Sequence, residues 1–156
     1  IGVGLVGSEM CIRDSNYAID YNENETIELK KTEDSFASAA NYLKRIGWKK
    51  NQPCFYKIDL EKDIPKKYLN SSARNIKNKK RSIFFSKYVK NFENLNISKN
   101  ISAAIIIPDK DIIPGSENFS PAYIIFDNYE KILNWNRSLR FALAVCTLKE
   151  NFRNEI

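Results

Sequence analysis

Two short apolar runs, Ser102–Ile107 and Ala122–Phe126, constrain the fold most. Each is rich in Ile or aromatic residues, too short for a typical helix and bounded by turn formers, which predicts two short, apolar strands. The stretch between them carries Pro108, Pro114, Gly115, Ser116, Asn118 and Pro121, so a long hairpin connection is expected. These runs, and Phe141–Cys146, fall far short of the ~20 apolar residues that a membrane span needs.

The elements around this hairpin follow from periodicity. Thr32–Ile46 reads as a helix, with Thr32 as its cap, Glu33 and Asp34 in the first turn and Lys44 and Arg45 in the last. Phe36, Ala39, Ala40 and Leu43 form its apolar stripe, and Gly47 is placed to end it. Cys54–Leu60 alternates as a half-buried strand, with Cys54, Tyr56, Ile58 and Leu60 on one face. Glu61–Asn100 is polar and basic, with an amphipathic helix expected near Arg81–Phe92. Asn128–Trp135 reads as a short helix. Ser138–Phe152 reads as a longer one, with Phe141, Ala144, Val145, Leu148 and Phe152 on one stripe. Helices with a small antiparallel sheet make the chain α+β.

Composition narrows the chemistry. The 156 residues contain no histidine. This excludes, within the chain, Ser-His-Asp and Cys-His nucleophile systems, a histidine base and His-ligated zinc. Cys11, Cys54 and Cys146 form neither a CxxC pair nor a disulfide framework. Cys54 and Cys146 are left open between a disulfide and two buried thiols. The net charge of +6 invites a nucleic-acid reading. However, Ile, Lys and Asn number 20, 18 and 18, and A/T-rich codons encode all three. The basic run Lys77–Arg81 has no aromatic residues interleaved, and a solvated surface is expected there rather than a nucleic-acid site.

Ile1–Ser15 differs in composition from the rest of the chain: it lacks Lys and holds three of the five glycines. It has no basic stretch before its apolar residues and no small-residue cleavage site, so it does not read as a signal peptide. Leu5–Ser15 is similar to a translated sequencing adapter. Residues 1–15 are therefore expected to be foreign, Cys11 with them, and the natural chain to be longer. Without Arg13, Glu9 and Asp14 the net charge becomes +7.

Three segments together resemble one family. They are NYAIDYNENETIEL from Asn16, FASAANYLKRIGW over Phe36–Trp48, and PAYIIFDNYEKILNWNRSLRFALAV over Pro121–Val145. In this order and spacing they are similar to the C-terminal half of the lytic murein transglycosylase B family, whose pattern runs NYAVDFDGDG, then ANYLK-x-HGW, then YNRS-x-x-YALAV. The likeness covers most of Asn16–Phe152, with Glu61–Asn100 only loosely similar. It implies that residues 16–156 are the C-terminal part of a lysozyme-like transglycosylase domain.

The resemblance implies a chemistry. Such enzymes cleave the bond from N-acetylmuramic acid to N-acetylglucosamine in peptidoglycan without water, forming a 1,6-anhydro product. One glutamate, its pKa raised by burial, acts as acid and then base. In the family it lies upstream of the matched segments, and no glutamate here stands at the matching position. The expectation is an inactive piece of an active enzyme, carrying sugar-binding residues Tyr42, Trp135, Asn136 and Phe141. Trp135 stands where the family has Tyr and keeps a stacking face. Phe141 stands where a cleft tyrosine is common and lacks its hydroxyl. Ser138 is placed as a helix cap.

Asp20, Asn22, Asn24 and Thr26 alternate like the first ligands of an EF-hand loop. Glu25 replaces the turn glycine, and Lys31 stands where the closing glutamate belongs. In a longer loop found in the family, Asp34 would close the set. Calcium in this loop and a metal-free turn are the two readings, and no cofactor is expected to be required. The implied partner is the peptidoglycan glycan strand, in the periplasm, with lipid attachment of the parent to the outer membrane as a family feature. A non-catalytic glycan-binding module and a basic nucleic-acid-binding domain are the alternatives.

Overall fold

The computed structural model describes residues 16–61, 63–109 and 121–155, with side chains of the last helix as far as 152. The segment expected to be foreign, 1–15, lies outside the described residues, as does most of the expected hairpin connection, 110–120. The chain divides into two units, one up to Lys49 and one from Lys50 onward.

In the first unit, helix α1 spans Thr32–Arg45. Its N-cap is Lys31, which makes no side-chain cap bond, so Thr32 is the first helical residue and not the expected cap. The far end behaves as expected. Gly47 has φ 84, and the N–H groups of Gly47 and Trp48 return to the carbonyls of Lys44 and Leu43 at 3.1 and 2.9 Å, which is the Schellman arrangement.

The buried face of α1 corrects the periodicity reading. Asp34 and Ser38 are buried, whereas Ala39 and Ala40 are exposed and Phe36 is 71% exposed. The physical reason is the neighbour. The preceding chain runs past the helix without a regular ladder and presents bare backbone groups, which require polar partners. Ser38 Oγ accepts the Ile19 N–H at 2.9 Å, and Asn41 Nδ2 donates to the Tyr17 carbonyl at 2.9 Å.

The second unit is built on a five-stranded sheet. Its strands are β1 (Phe55–Ile58), β2 (Leu69–Asn70), β3 (Lys80–Arg81), β4 (Ser102–Ile106) and β5 (Ala122–Phe126), in the order β1-β5-β4-β2 with β3 also paired to β4. The two apolar runs pair antiparallel as expected, Ala104 opposite Ile125, but β2 joins β4 parallel, so the sheet is mixed and not wholly antiparallel. The two-residue strands β2 and β3 carry no apolar alternation long enough to mark them in the sequence. Buried Asn70 extends the short β2: its Nδ2 donates to the Ile105 carbonyl at 3.0 Å and its Oδ1 accepts the Lys77 N–H at 2.8 Å.

The sheet is apolar on both faces. Ala103, Ile105, Ile107, Ala122, Ile124 and Phe126 share one core with Phe85, Tyr88, Val89 and Phe92. The helix expected near Arg81–Phe92 is instead a 3-10 helix over Ser82–Tyr88. Its buried residues Ser82, Phe85 and Tyr88 recur every three positions, the repeat of that helix. Lys67, Lys80 and Lys87 lie over the Tyr68, Phe84 and Tyr88 rings at 4.7–5.9 Å. The basic surface thus meets aromatic residues in space, though not in sequence, and those rings belong to this unit's own packing.

Helices α2 (Asp127–Trp135) and α3 (Leu139–Glu155) follow β5. On α3 the expected stripe is again the outer one. Leu139, Ala142 and Cys146 are buried, whereas Leu148 and Phe152 are 55% and 58% exposed. Cys54, just before β1, and Cys146 form a disulfide across 92 residues, with Cα atoms 6.0 Å apart. Among the described residues no helix is long and apolar enough to cross a membrane.

Candidate functional site

The elbow between α2 and α3 carries three of the four expected sugar-binding residues. Trp135 ends α2 and is 55% exposed. Asn136 is the C-cap, extended at φ −139 and ψ 118, with its N–H on the Ile132 carbonyl at 3.1 Å. Phe141, in the first turn of α3, is 37% exposed. A large ring and an amide beside it, both reaching solvent, can stack on the C–H face of a pyranose and hydrogen-bond its substituents.

The elbow is fixed from beneath. Ser138 caps α3 as expected, its Oγ accepting the Phe141 N–H at 3.2 Å, and its own N–H meets the Asn136 carbonyl at 2.8 Å. Tyr129, fully buried, donates its hydroxyl hydrogen to the Leu139 carbonyl at 2.6 Å. Burial pushes the Tyr129 phenol well above its ordinary pKa, so it stays a donor. At the other end of α2, buried Asn128 donates to the Gln52 carbonyl at 2.9 Å. Arg140, on the exposed side of α3, forms an ion pair with Asp109. Apart from the Ser138 cap, none of these supports is predicted by the sequence pattern. The Tyr129 ring carries a detectable signal, a polar aromatic inside an apolar helix stripe; the Arg140 pairing partner lies 31 residues away and carries none.

Tyr42 lies in the first unit. It is half-buried on α1, with its ring edge-on to Tyr17 at 5.1 Å between centroids. One side is therefore packed.

The acidic loop is organised by its own hydrogen bonds. Asp20 Oδ1 and Asn22 Oδ1 accept the Asn24 N–H at 3.3 and 3.2 Å, and Asn24 Oδ1 accepts the Thr26 N–H at 2.9 Å. Glu23 and Glu25 hold φ of 58 and 65, so Glu25 adopts the left-handed turn at the position where an EF-hand has glycine. Asp34 closes the loop. Its two oxygens accept the N–H groups of Glu28 at 2.8 Å and Tyr21 at 3.0 Å. These two bonds, Glu28 first, hold its carboxyl below the usual range. Carboxylate and amide oxygens at this spacing suit a hard cation in type. Among the described residues, however, no three His, Cys, Asp or Glu side chains gather as a metal cluster.

The model of the family described as Transglycosylase SLT domain matches residues 10–150. Among solved structures, SltB3 of Pseudomonas aeruginosa in complex with NAG-NAM-pentapeptide is 24% identical with a TM-score of 0.72, over 91% of this chain and 36% of that one. Catenated SltB1 of the same organism is 16% identical with a TM-score of 0.69, over 92% and 44%. Escherichia coli Slt35 in complex with calcium is 18% identical with a TM-score of 0.62, over 89% and 40%. No curated protein sequence matches. The likeness shows a shared α+β fold, and the chain spans 36–44% of the length of these solved relatives.

Proposed function

Because the chain belongs to the Transglycosylase SLT domain family, we propose that it forms part of the sugar-binding wall of a peptidoglycan lytic transglycosylase. In the proposed reaction the muramic acid C6 hydroxyl attacks its own C1, and the bond from C1 to the glucosamine oxygen breaks. One carboxylic acid gives its proton to the leaving oxygen and, as carboxylate, takes the C6 hydroxyl proton. The product is a 1,6-anhydro sugar and no water is consumed. We assign that acid to a glutamate which this chain does not hold, so the chain alone is inactive.

The role of this chain is to bind and orient. Trp135 stacks on a sugar ring and Asn136 bonds its hydroxyl or N-acetyl groups. Phe141 offers a ring without a hydroxyl, and Tyr42 is a sugar contact on its own unit. The observation that carries this reading is an exposed Trp135–Asn136 pair on a buried, hydrogen-bonded elbow, a rigid support under a polar-aromatic surface. SltB3, which is similar in fold, has been solved with NAG-NAM-pentapeptide; the glycan strand is the ligand proposed here by that likeness.

The Asp20–Asp34 loop is read as a metal-free turn held by its own hydrogen bonds, with Ca2+ on Asp20, Asn22, Asn24, Thr26 and Asp34 as the alternative; titration calorimetry with Ca2+ decides between them. The Cys54–Cys146 disulfide supports an oxidising compartment, in keeping with the periplasm.

The test of the reading is mass spectrometry of the soluble products after incubating the chain with purified murein sacculi. Absence of anhydromuropeptides is expected; their release overturns the assignment of the acid.

A further inference from the structure

The outer edge of the sheet holds a second candidate site. Among the described residues, strand β1 is the terminal strand, paired only with β5. The Phe126 N–H reaches the Cys54 carbonyl at 2.9 Å, so Cys54, Tyr56 and Ile58 exchange bonds with β5. The N–H and C=O groups of Phe55 and Lys57 therefore point away from the sheet. Further along, that edge is covered: the Lys90 N–H meets the Asp59 carbonyl and the Glu61 N–H meets the Tyr88 carbonyl, both at 2.9 Å. The covering chain, Tyr88–Lys90, then turns off at Asn91, which has φ 53. Among the described residues no loop or turn backbone bond reaches Phe55 or Lys57.

A cavity of about 470 Å³ lies along this uncovered stretch, within the ordinary size of ligand sites. Phe55, Tyr56 and Lys57 line it on the strand, Asn96 lies beyond the edge, and Glu150 and Asn151 are contributed by α3. Tyr56 holds Asn96 in place, its hydroxyl on the Asn96 carbonyl at 3.1 Å. The walls thus carry amides and one ammonium around two outward backbone donor–acceptor pairs, while the Glu150 carboxylate is ion-paired with Lys149.

We infer that this cavity binds a short extended peptide, the peptide stem carried by the glycan substrate, by adding it to the edge of β1. The inference rests on the peptidoglycan reading above. Backbone pairing at Phe55 and Lys57 is indifferent to side-chain identity and suits a two- or three-residue stretch. Lys57 meets the carboxylates of the stem. Engagement of the stem here, away from the elbow, would let one chain distinguish peptide-bearing strands from bare ones.

Calorimetric titration of the full chain tests this with three probes: the free stem pentapeptide, the same peptide N-methylated on its backbone amides, and peptide-free glycan oligomers. The pentapeptide is expected to bind. N-methylation, and Lys57→Glu in the protein, should each weaken it about tenfold, the loss of one charge-assisted or backbone bond. Lys57→Glu should leave glycan binding unchanged. Glycan binding without pentapeptide binding overturns the inference and leaves the glycan reading standing. Pentapeptide binding that neither change weakens overturns the assignment to this edge. Pentapeptide binding alone supports the inference and counts against the glycan wall; failure of both ligands overturns both.

Discussion

The Tyr129 hydroxyl bonds the Leu139 carbonyl at 2.6 Å, tying α2 to the first residue of α3 beneath the exposed Trp135–Asn136 pair. This bond is buried, so its loss is not made good by water. Tyr129→Phe keeps the ring packing and removes only the bond. It should cost about 1 kcal/mol in stability, read as a lowered urea midpoint. Glycan affinity should fall as well, because the elbow loses its support. Unchanged affinity in a folded variant would detach the elbow from the site.

The disulfide makes a second prediction. Cys54 and Cys146 close a loop of 92 residues between β1 and the middle of α3. A cross-link of this span removes unfolded-state entropy equivalent to roughly 4–5 kcal/mol in the chain-entropy account, with about 2–5 kcal/mol usually measured. Urea unfolding with and without reductant should show that loss in the unit from Lys50 onward. An unchanged midpoint would show that the bridge does not constrain the fold.

Asp34 makes a prediction about pH. Its folded pKa is lowered by the N–H groups of Glu28 and Tyr21. A depressed carboxyl adds stability above its unfolded pKa and loses it as pH falls through the folded value. The amide shifts of Tyr21 and Glu28 should therefore titrate together with the Asp34 carboxyl, with a midpoint below about 3.9, the unperturbed value. Asp34→Asn should abolish the shared titration. A midpoint at or above that value would contradict the hydrogen-bond arrangement.

The elements were legible where periodicity and punctuation sufficed. The paired runs 102–107 and 122–126, the helix ending at Gly47 and the cap at Ser138 all stand as expected. What periodicity does not carry is the neighbour. On α1 the spacing of Phe36, Ala39, Ala40 and Leu43 marks an apolar stripe, yet Asp34 and Ser38 turn inward because bare backbone lies opposite. On α3 the spacing of Phe141, Leu148 and Phe152 likewise marks the outer face, while Ala142 and Cys146 pack inward. The 3-10 helix at Ser82–Tyr88 was hidden because its three-residue repeat is close to the helical one. At the candidate site, Trp135 and Asn136 were visible as a motif. Their support by Tyr129 and Leu139 depended on how two helices meet, which no local pattern encodes.

The most direct measurement is co-sedimentation of the chain with purified murein sacculi, comparing the native sequence with Trp135→Ala and Asn136→Ala. Both residues are exposed, and thermal unfolding checks that each variant remains folded. The native chain should sediment with the sacculi, and each variant should lose about tenfold or more in affinity. Equal binding by the native chain and both variants would contradict the assignment of this elbow as the glycan wall.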